Sequence, residues 1–198
     1  MPGELEFWFE FASTYSYLAA ERIEPLATKA GVRIAWRPFL LGPIFRAQGW
    51  NDSPFNVYPA KGRYMWRDME RLCDAYGLPL KRPSQFPRNG LLAARVATAG
   101  GDAPWLPAYV RSVYRANFAD DRDISDPMVV GELVRGAGGE GCVMLKAAET
   151  PEVKATLRAR TDGALERGLF GAPTFLARGE LFWGNDRLDD AIAWAAGR

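Results

Sequence analysis

Apolar and polar residues alternate at the start of the chain. Leu5, Phe7, Phe9 and Phe11 fall on one side, and Glu6, Trp8 and Glu10 on the other. A period of two belongs to a strand in a sheet, so a strand is predicted over residues 5–11. The period changes after Ser13, where Leu18, Ala19, Arg22 and Ile23 continue with helical spacing. Ser13 suits the N-cap, because its hydroxyl can accept from N–H groups two or three residues on. Pro25 predicts a break near Glu24 and a second short helix over residues 25–30, since proline removes a helical N–H. Gly31 closes that helix. Residues 32–37 alternate again, as a second strand ended by Pro38. A helix between the two strands makes them parallel neighbours with a right-handed crossover.

The pattern then loses its strands. Residues 41–54 mix apolar side chains with turn formers and predict an irregular stretch, a kind that often carries function. Tyr64, Met65, Met69, Leu72, Cys73 and Tyr76 make one stripe of a helix over residues 61–76, which Gly77 ends. Pro79, Pro83 and Pro87 keep the next stretch extended. Further helices are predicted over 91–99, 105–118, 128–135 and 150–167. Strands return at 174–177 and 180–183, joined by Arg178-Gly179 as a hairpin. Asn185 or Asp186 caps a last helix that turns Leu188, Ile192 and Ala195 inward. The order β-α-β, helical block, β-β-α assembles one mixed four-stranded sheet covered by helices. This is an α/β, thioredoxin-like fold with an inserted all-helical domain. The expected division is residues 1–42 and 168–198 for the thioredoxin-like domain and 43–167 for the insert.

Composition narrows the function. The 198 residues are 48% hydrophobic and 25% charged, as in ordinary globular proteins. A net charge of +1 offers no basic surplus for nucleic acid. No apolar run approaches the ~20 residues of a membrane span. The first residues lack the basic-then-apolar order of a secretory signal, so a cytoplasmic location is the expectation. The chain has no histidine. That excludes Ser-His-Asp and Cys-His catalysis, His-ligated metals and imidazole acid–base work. Two cysteines, Cys73 and Cys142, are too few for a zinc site without histidine. They are expected to be buried free thiols, and no metal is expected.

Two short stretches carry the chemistry. Ser13-Thr14-Tyr15-Ser16 sits where a strand hands over to a helix start, and unpaired N–H groups with a partial positive charge there stabilise an anion. Thiol oxidoreductases of the thioredoxin fold have Cys-x-x-Cys at this junction; this chain has the position without the sulfur. The second stretch is Gly171-Ala172-Pro173-Thr174-Phe175. Locally, a trans proline opening an edge strand is favoured, because only ~5% of X-Pro bonds are cis. In the thioredoxin arrangement this proline lies beside the first helix start. A cis bond would there present the backbone N–H and C=O of Ala172 to an extended peptide.

The stretches FEFASTYSYLA (9–19) and GAPTFLARGELFWGNDRLDD (171–190) resemble the motifs F-D-F-x-S-P-[YF]-S-Y-L-A and G-V-P-[TS]-F…G-x-x-F-W-G-x-D-R-L. These mark the 2-hydroxychromene-2-carboxylate isomerase and kappa-class glutathione transferase family. RPFLLGPIFRAQGWN, SPF and PAKGRYMWRDMERL are also similar to it. The resemblance implies a glutathione-dependent enzyme, usually a homodimer, acting on an aromatic or conjugated small molecule. It implies that Ser13 faces the glutathione sulfur and that Ala172 pairs with the cysteinyl part. Trp183, Gly184, Asn185 and Asp186 would hold the γ-glutamyl end, with Asp186 on its ammonium. Arg46 and Asn51 would meet the second substrate. Thr14 stands where the family has proline, Ala172 where it has valine or leucine, and Arg46 near its lysine. The sulfur would then come from the cofactor, with Ser13 its hydrogen-bond donor. Tyr15, Phe45, Trp50, Tyr64 and Trp66 are candidates for a hydrophobic cleft. Ser13, Ser16 and Asp186 also read as plain helix caps. A kappa-like transferase and a non-catalytic thioredoxin-like peptide-binding module stay open as alternatives.

Overall fold

The computed structural model describes residues 3–198. Among these, four strands form one mixed sheet: β1 (Gly3–Phe9), β2 (Val32–Pro38), β3 (Thr174–Ala177) and β4 (Glu180–Trp183), in the order β2-β1-β3-β4. β1 runs parallel to β2, with Gly3 opposite Val32 and Phe9 opposite Pro38. It is antiparallel to β3, and β3 to β4. The thioredoxin-like α/β fold is thus present, with the N- and C-terminal strands side by side on β1. Arg178 and Gly179 both have positive φ, the geometry that a two-residue hairpin between twisted strands requires.

β1 ends at Phe9, two residues before the alternation does, because residues 11 and 12 turn toward the first helix. Both faces of β1 are covered. Leu5, Phe7 and Phe9 join the main core with Tyr17, Leu18 and Ile23. On the other face Trp8 packs with Phe39, Ile44, Leu169 and Leu176. A strand buried on both sides defeats the simple inside–outside reading of alternation.

Helix α1 (Thr14–Ala30) crosses between β1 and β2 as one continuous helix. The expected break at Pro25 does not occur. Pro25 is exposed, so its lost hydrogen bond faces water. Ile23 before it and Ala27 after it are buried, and this packing holds both halves in line. Gly31 closes the helix at φ 68°, donating to the carbonyls of Ala27 and Thr28.

Between β2 and β3 the chain is helical: α2 (Leu41–Ala47), α3 (Pro54–Val57), α4 (Pro59–Tyr76), α5 (Leu91–Gly100), α6 (Leu106–Phe118), α7 (Pro127–Gly136), α8 (Gly141–Ala148) and α9 (Pro151–Glu166). The stretch 41–54, expected to be irregular, contains α2 and the start of α3; Ser53 caps α3 with Pro54 in its first turn. Helix α8 has no counterpart in the expected pattern. Met65, Met69 and Cys73 of α4 and Tyr109, Val113 and Tyr114 of α6 share the main core with β1 and α1. Arg115 of α6 grips Glu21 of α1 with two bonds of 2.6 Å. A 3-10 turn (Asn185–Arg187) leads into α10 (Leu188–Ala195).

Candidate active site

The start of α1 forms one wall of a cavity of about 1580 Å³ between the sheet edge and α2, α3 and α4. Ser13 is the N-cap, with extended φ −81° and ψ 116°. Its Oγ accepts from the Ser16 N–H at 3.3 Å and from the Ser16 hydroxyl at 2.9 Å, and donates its own proton to the Ala172 carbonyl at 3.0 Å. The Ala172–Pro173 bond is cis, against the local expectation. Residues 159 positions apart are therefore joined by one hydrogen bond. In this state the serine hydroxyl is committed as a hydrogen-bond donor to a carbonyl.

Thr14 follows as the first residue of α1. It is buried, lines the cavity, and its Oγ1 is the only buried side-chain nitrogen or oxygen among the described residues without a hydrogen-bond partner. An unmet buried hydroxyl costs about 1–3 kcal/mol. A proline here, as in the resembling motif, would bring no such group.

The other motif residues gather on the same cavity. The N–H of Gly184 donates to the Pro173 carbonyl at 3.0 Å, which sets the hairpin end against the cis bond. Trp183 is half exposed and leans on Phe170, with ring centres 5.0 Å apart. Asn185 is buried, and its Oδ1 accepts from Arg22 of α1 at 3.0 Å. Asp186 is exposed and lies 3.3 Å from the Arg187 guanidinium. Arg46, in the last turn of α2, and Asn51 beyond it are exposed; Arg46 makes no ion pair among the described residues. Ser13, Ala172, Trp183, Gly184, Asn185, Asp186, Arg46 and Asn51 all line this one cavity.

Of the five aromatic candidates, Tyr15, Phe45, Trp50 and Tyr64 line it. Trp66 does not. It packs edge-on to Phe86 at 5.1 Å, beneath the Arg82 guanidinium. Neither cysteine reaches the cavity. Cys73 is buried, and burial pushes its thiol up to about 11. Cys142, expected to be buried, is exposed, because the first turn of α8 turns it outward.

Two acidic groups escaped the motif reading. The Tyr15 hydroxyl donates to Asp68 of α4 at 2.9 Å. Burial first, then Asp68 and Asp186, hold that hydroxyl above the usual tyrosine range. Asp68 and Asp186 both line the cavity and both bear on the Tyr15 hydroxyl. No sequence signal sets Asp68 apart from the other acids of an amphipathic helix. The second group is Glu10, assigned to the polar side of β1 by alternation. It is only 8% exposed and lines the cavity. Burial raises its carboxyl from 4.5 to about 7, against the lowering effect of the Ala12 and Phe11 N–H groups.

Residues 4–192 match the family model of the DSBA-like thioredoxin domain. The 2-hydroxychromene-2-carboxylate isomerase of Sphingobium xenophagum is 30% identical over 191 residues, 96% of each chain. Human glutathione S-transferase kappa 1 is 25% identical over 203 residues, covering 96% of this chain and 89% of the transferase. A solved structure of 2-hydroxychromene-2-carboxylate isomerase superposes with a TM-score of 0.87 at 27% identity, over 98% of this chain and 95% of that one.

Proposed function

This chain belongs to the DSBA-like thioredoxin family, and from that premise we propose that it is a glutathione-dependent isomerase of the 2-hydroxychromene-2-carboxylate type, acting on an aromatic or conjugated small molecule. The observation that carries this reading is the Ser13–Ala172 pair at the start of α1, on a cavity that no cysteine of the chain reaches. A site with the geometry of a thiol enzyme and no thiol of its own calls for a ligand that brings one. The cavity also exceeds the roughly 300–1,000 Å³ of single-ligand pockets, which suits two molecules. The isomerase relatives support the reaction type, and the glutathione S-transferase kappa relatives support the ligand class.

The groups present fit glutathione. A thiolate gains at the first turn of α1 from free N–H groups and the helix dipole. Thr14, whose buried hydroxyl has no partner, belongs to the same first turn. Ala172 offers a main-chain partner for the cysteinyl part, and Asp68 with Asp186 a double carboxylate for the ammonium. Bound glutathione supplies a thiolate that adds reversibly to a conjugated double bond and so permits rotation about it. Ser13 acts as donor, not nucleophile, since no base adjoins it. To serve, its hydroxyl leaves the Ala172 carbonyl and turns to the anion, while the two bonds from Ser16 keep the oxygen in place. Arg46 and Asn51 face an acidic group of the second substrate. Arg46 brings a planar fork where lysine brings a point charge, so the favoured acid is one that accepts two parallel bonds. A homodimer and a cytoplasmic location complete the reading.

Thermal unfolding with glutathione tests it. Ligand at about 100 times its Kd stabilises by about 2.7 kcal/mol, a rise of roughly 5–10 °C for a chain of this length. Absence of any shift leaves the peptide-binding module as the reading. With binding established, 2-hydroxychromene-2-carboxylate consumed while glutathione stays intact supports the isomerase. A stable adduct with a model electrophile, and no isomerisation, supports the kappa-like transferase.

A further inference from the structure

Glu10 stands out among the groups that the reading above leaves without a role. Its backbone is clamped: the carbonyl accepts from the Ser13 N–H at 2.9 Å and from the Tyr114 hydroxyl at 2.9 Å. Its side chain is more than nine-tenths buried, yet it lines the cavity that Ser13 lines. No lysine or arginine pairs with it among the described residues. The carboxyl lies against Gly90, where a Cβ would come within 3.1 Å of Oε1. Gly90 thus leaves room on a wall that also carries Phe86, Pro87 and Leu91.

The neighbouring titratable groups are already committed. Tyr114 of α6 donates to the Glu10 carbonyl, and burial holds its hydroxyl well above the ordinary range. Arg88, two residues before Gly90, binds Asp121, Ser84, Asn117 and the Arg122 carbonyl. An uncompensated carboxyl in such a place keeps its proton near neutral pH, as its rise to about 7 reflects.

We infer that Glu10 is a catalytic acid of this cavity, whose carboxyl gives its proton to the substrate oxygen on which negative charge develops. The step rests on the isomerase reading. As the thiol nucleophile pushes the conjugated electron pair toward the substrate's carbonyl oxygen, that oxygen takes the Glu10 proton and leaves a carboxylate. The proton returns when the double bond re-forms, so no atom or electron is gained or lost overall. A carboxylic acid kept neutral in an apolar wall does this better than a solvated one.

The test has a binding arm and a kinetic arm. The binding arm uses 2,4-dinitrophenolate, an aromatic oxyanion that stays ionised across the range and needs no glutathione. A protonated Glu10 favours this anion and an ionised one repels it, so its Kd in the wild type weakens about tenfold from about pH 6 to about pH 8. In Glu10→Gln the change stays within about twofold, and Glu10→Asp keeps the pH dependence. In the kinetic arm Glu10→Gln lowers kcat by roughly 100-fold while the Kd for glutathione stays within about twofold. The alkaline limb of the kcat profile near pH 7, where the acid loses its proton, disappears. A wild-type Kd for the anion that is flat with pH overturns the inference, even if Glu10→Gln does not fold. So does full turnover in Glu10→Gln. Glutathione-independent wild type with pH-dependent anion binding sinks the isomerase reading and the catalytic role together. Flat anion binding with intact glutathione-dependent turnover sinks the role of Glu10 alone.

Discussion

Replacing Glu10 by glutamine should change how stability depends on pH more than it changes stability at any one pH. The carboxyl is raised from 4.5 to about 7 by burial. The folded protein therefore holds a proton that the unfolded chain releases. Below about pH 4.5 both states are protonated and the full contribution is present. As pH rises the unfolded state ionises first, and the contribution is lost through about pH 7. At ~1.36 kcal/mol per unit, the gap amounts to about 3 kcal/mol. That is a large share of the roughly 5–15 kcal/mol that holds a domain together. The chain has no histidine, so no other side chain ordinarily titrates between about pH 5 and 8. Asp121, held down to about 2 by the Ser84 N–H and Arg88, titrates below that range. Glutamine is neutral and near in shape, and its amide oxygen can accept from the same two N–H groups. Urea unfolding from about pH 4.5 to about pH 8 should show wild-type stability falling relative to Glu10→Gln by about 3 kcal/mol. Parallel curves across that range would refute the reasoning, because they would mean that the carboxyl is solvated in the folded state.

Other substitutions probe the rest of the site. Ser13→Ala removes the α1 cap and the tie to Ala172; it should cost about 1 kcal/mol in thermal unfolding and raise the thiol pKa of bound glutathione, read by ultraviolet titration. Thr14→Val deletes the orphan hydroxyl at constant shape; it should raise stability by about 1 kcal/mol, or roughly 2–4 °C in thermal unfolding. Gly171→Ala pushes a methyl group into the half-exposed Trp183 indole; calorimetry should show weaker glutathione binding with little change in melting temperature. A thiol reagent should modify Cys142 in the folded protein and Cys73 only on unfolding, since burial shields Cys73 and keeps it protonated.

Local features of the chain were legible because local forces set them. The Ser13 cap, the Gly31 stop and the Arg178-Gly179 turn each depend on residues a few positions apart, and each stands where the pattern put it; the period of two found β1 but placed its end two residues late. The motif stretches could be picked out in the chain, and the pairing of β3 with β1, with Trp8 opposite Thr174, brings Ala172 beside Ser13. What packing decides could not be read locally. Pro25 breaks an isolated helix, but buried residues on both sides of it keep α1 whole. Cys142 sits in an apolar stretch, yet α8 turns it to water. Glu10 belongs to the polar side of an alternating strand. Only the assembled molecule closes both sides of β1, brings Gly90 against the carboxyl, and leaves it without a cation. Desolvation is a property of everything around a group, and strand period says nothing about it. The chain by itself determined a thiol-enzyme scaffold lacking a thiol at Ser13. The tertiary structure decided which of its acids stands dry beside that site.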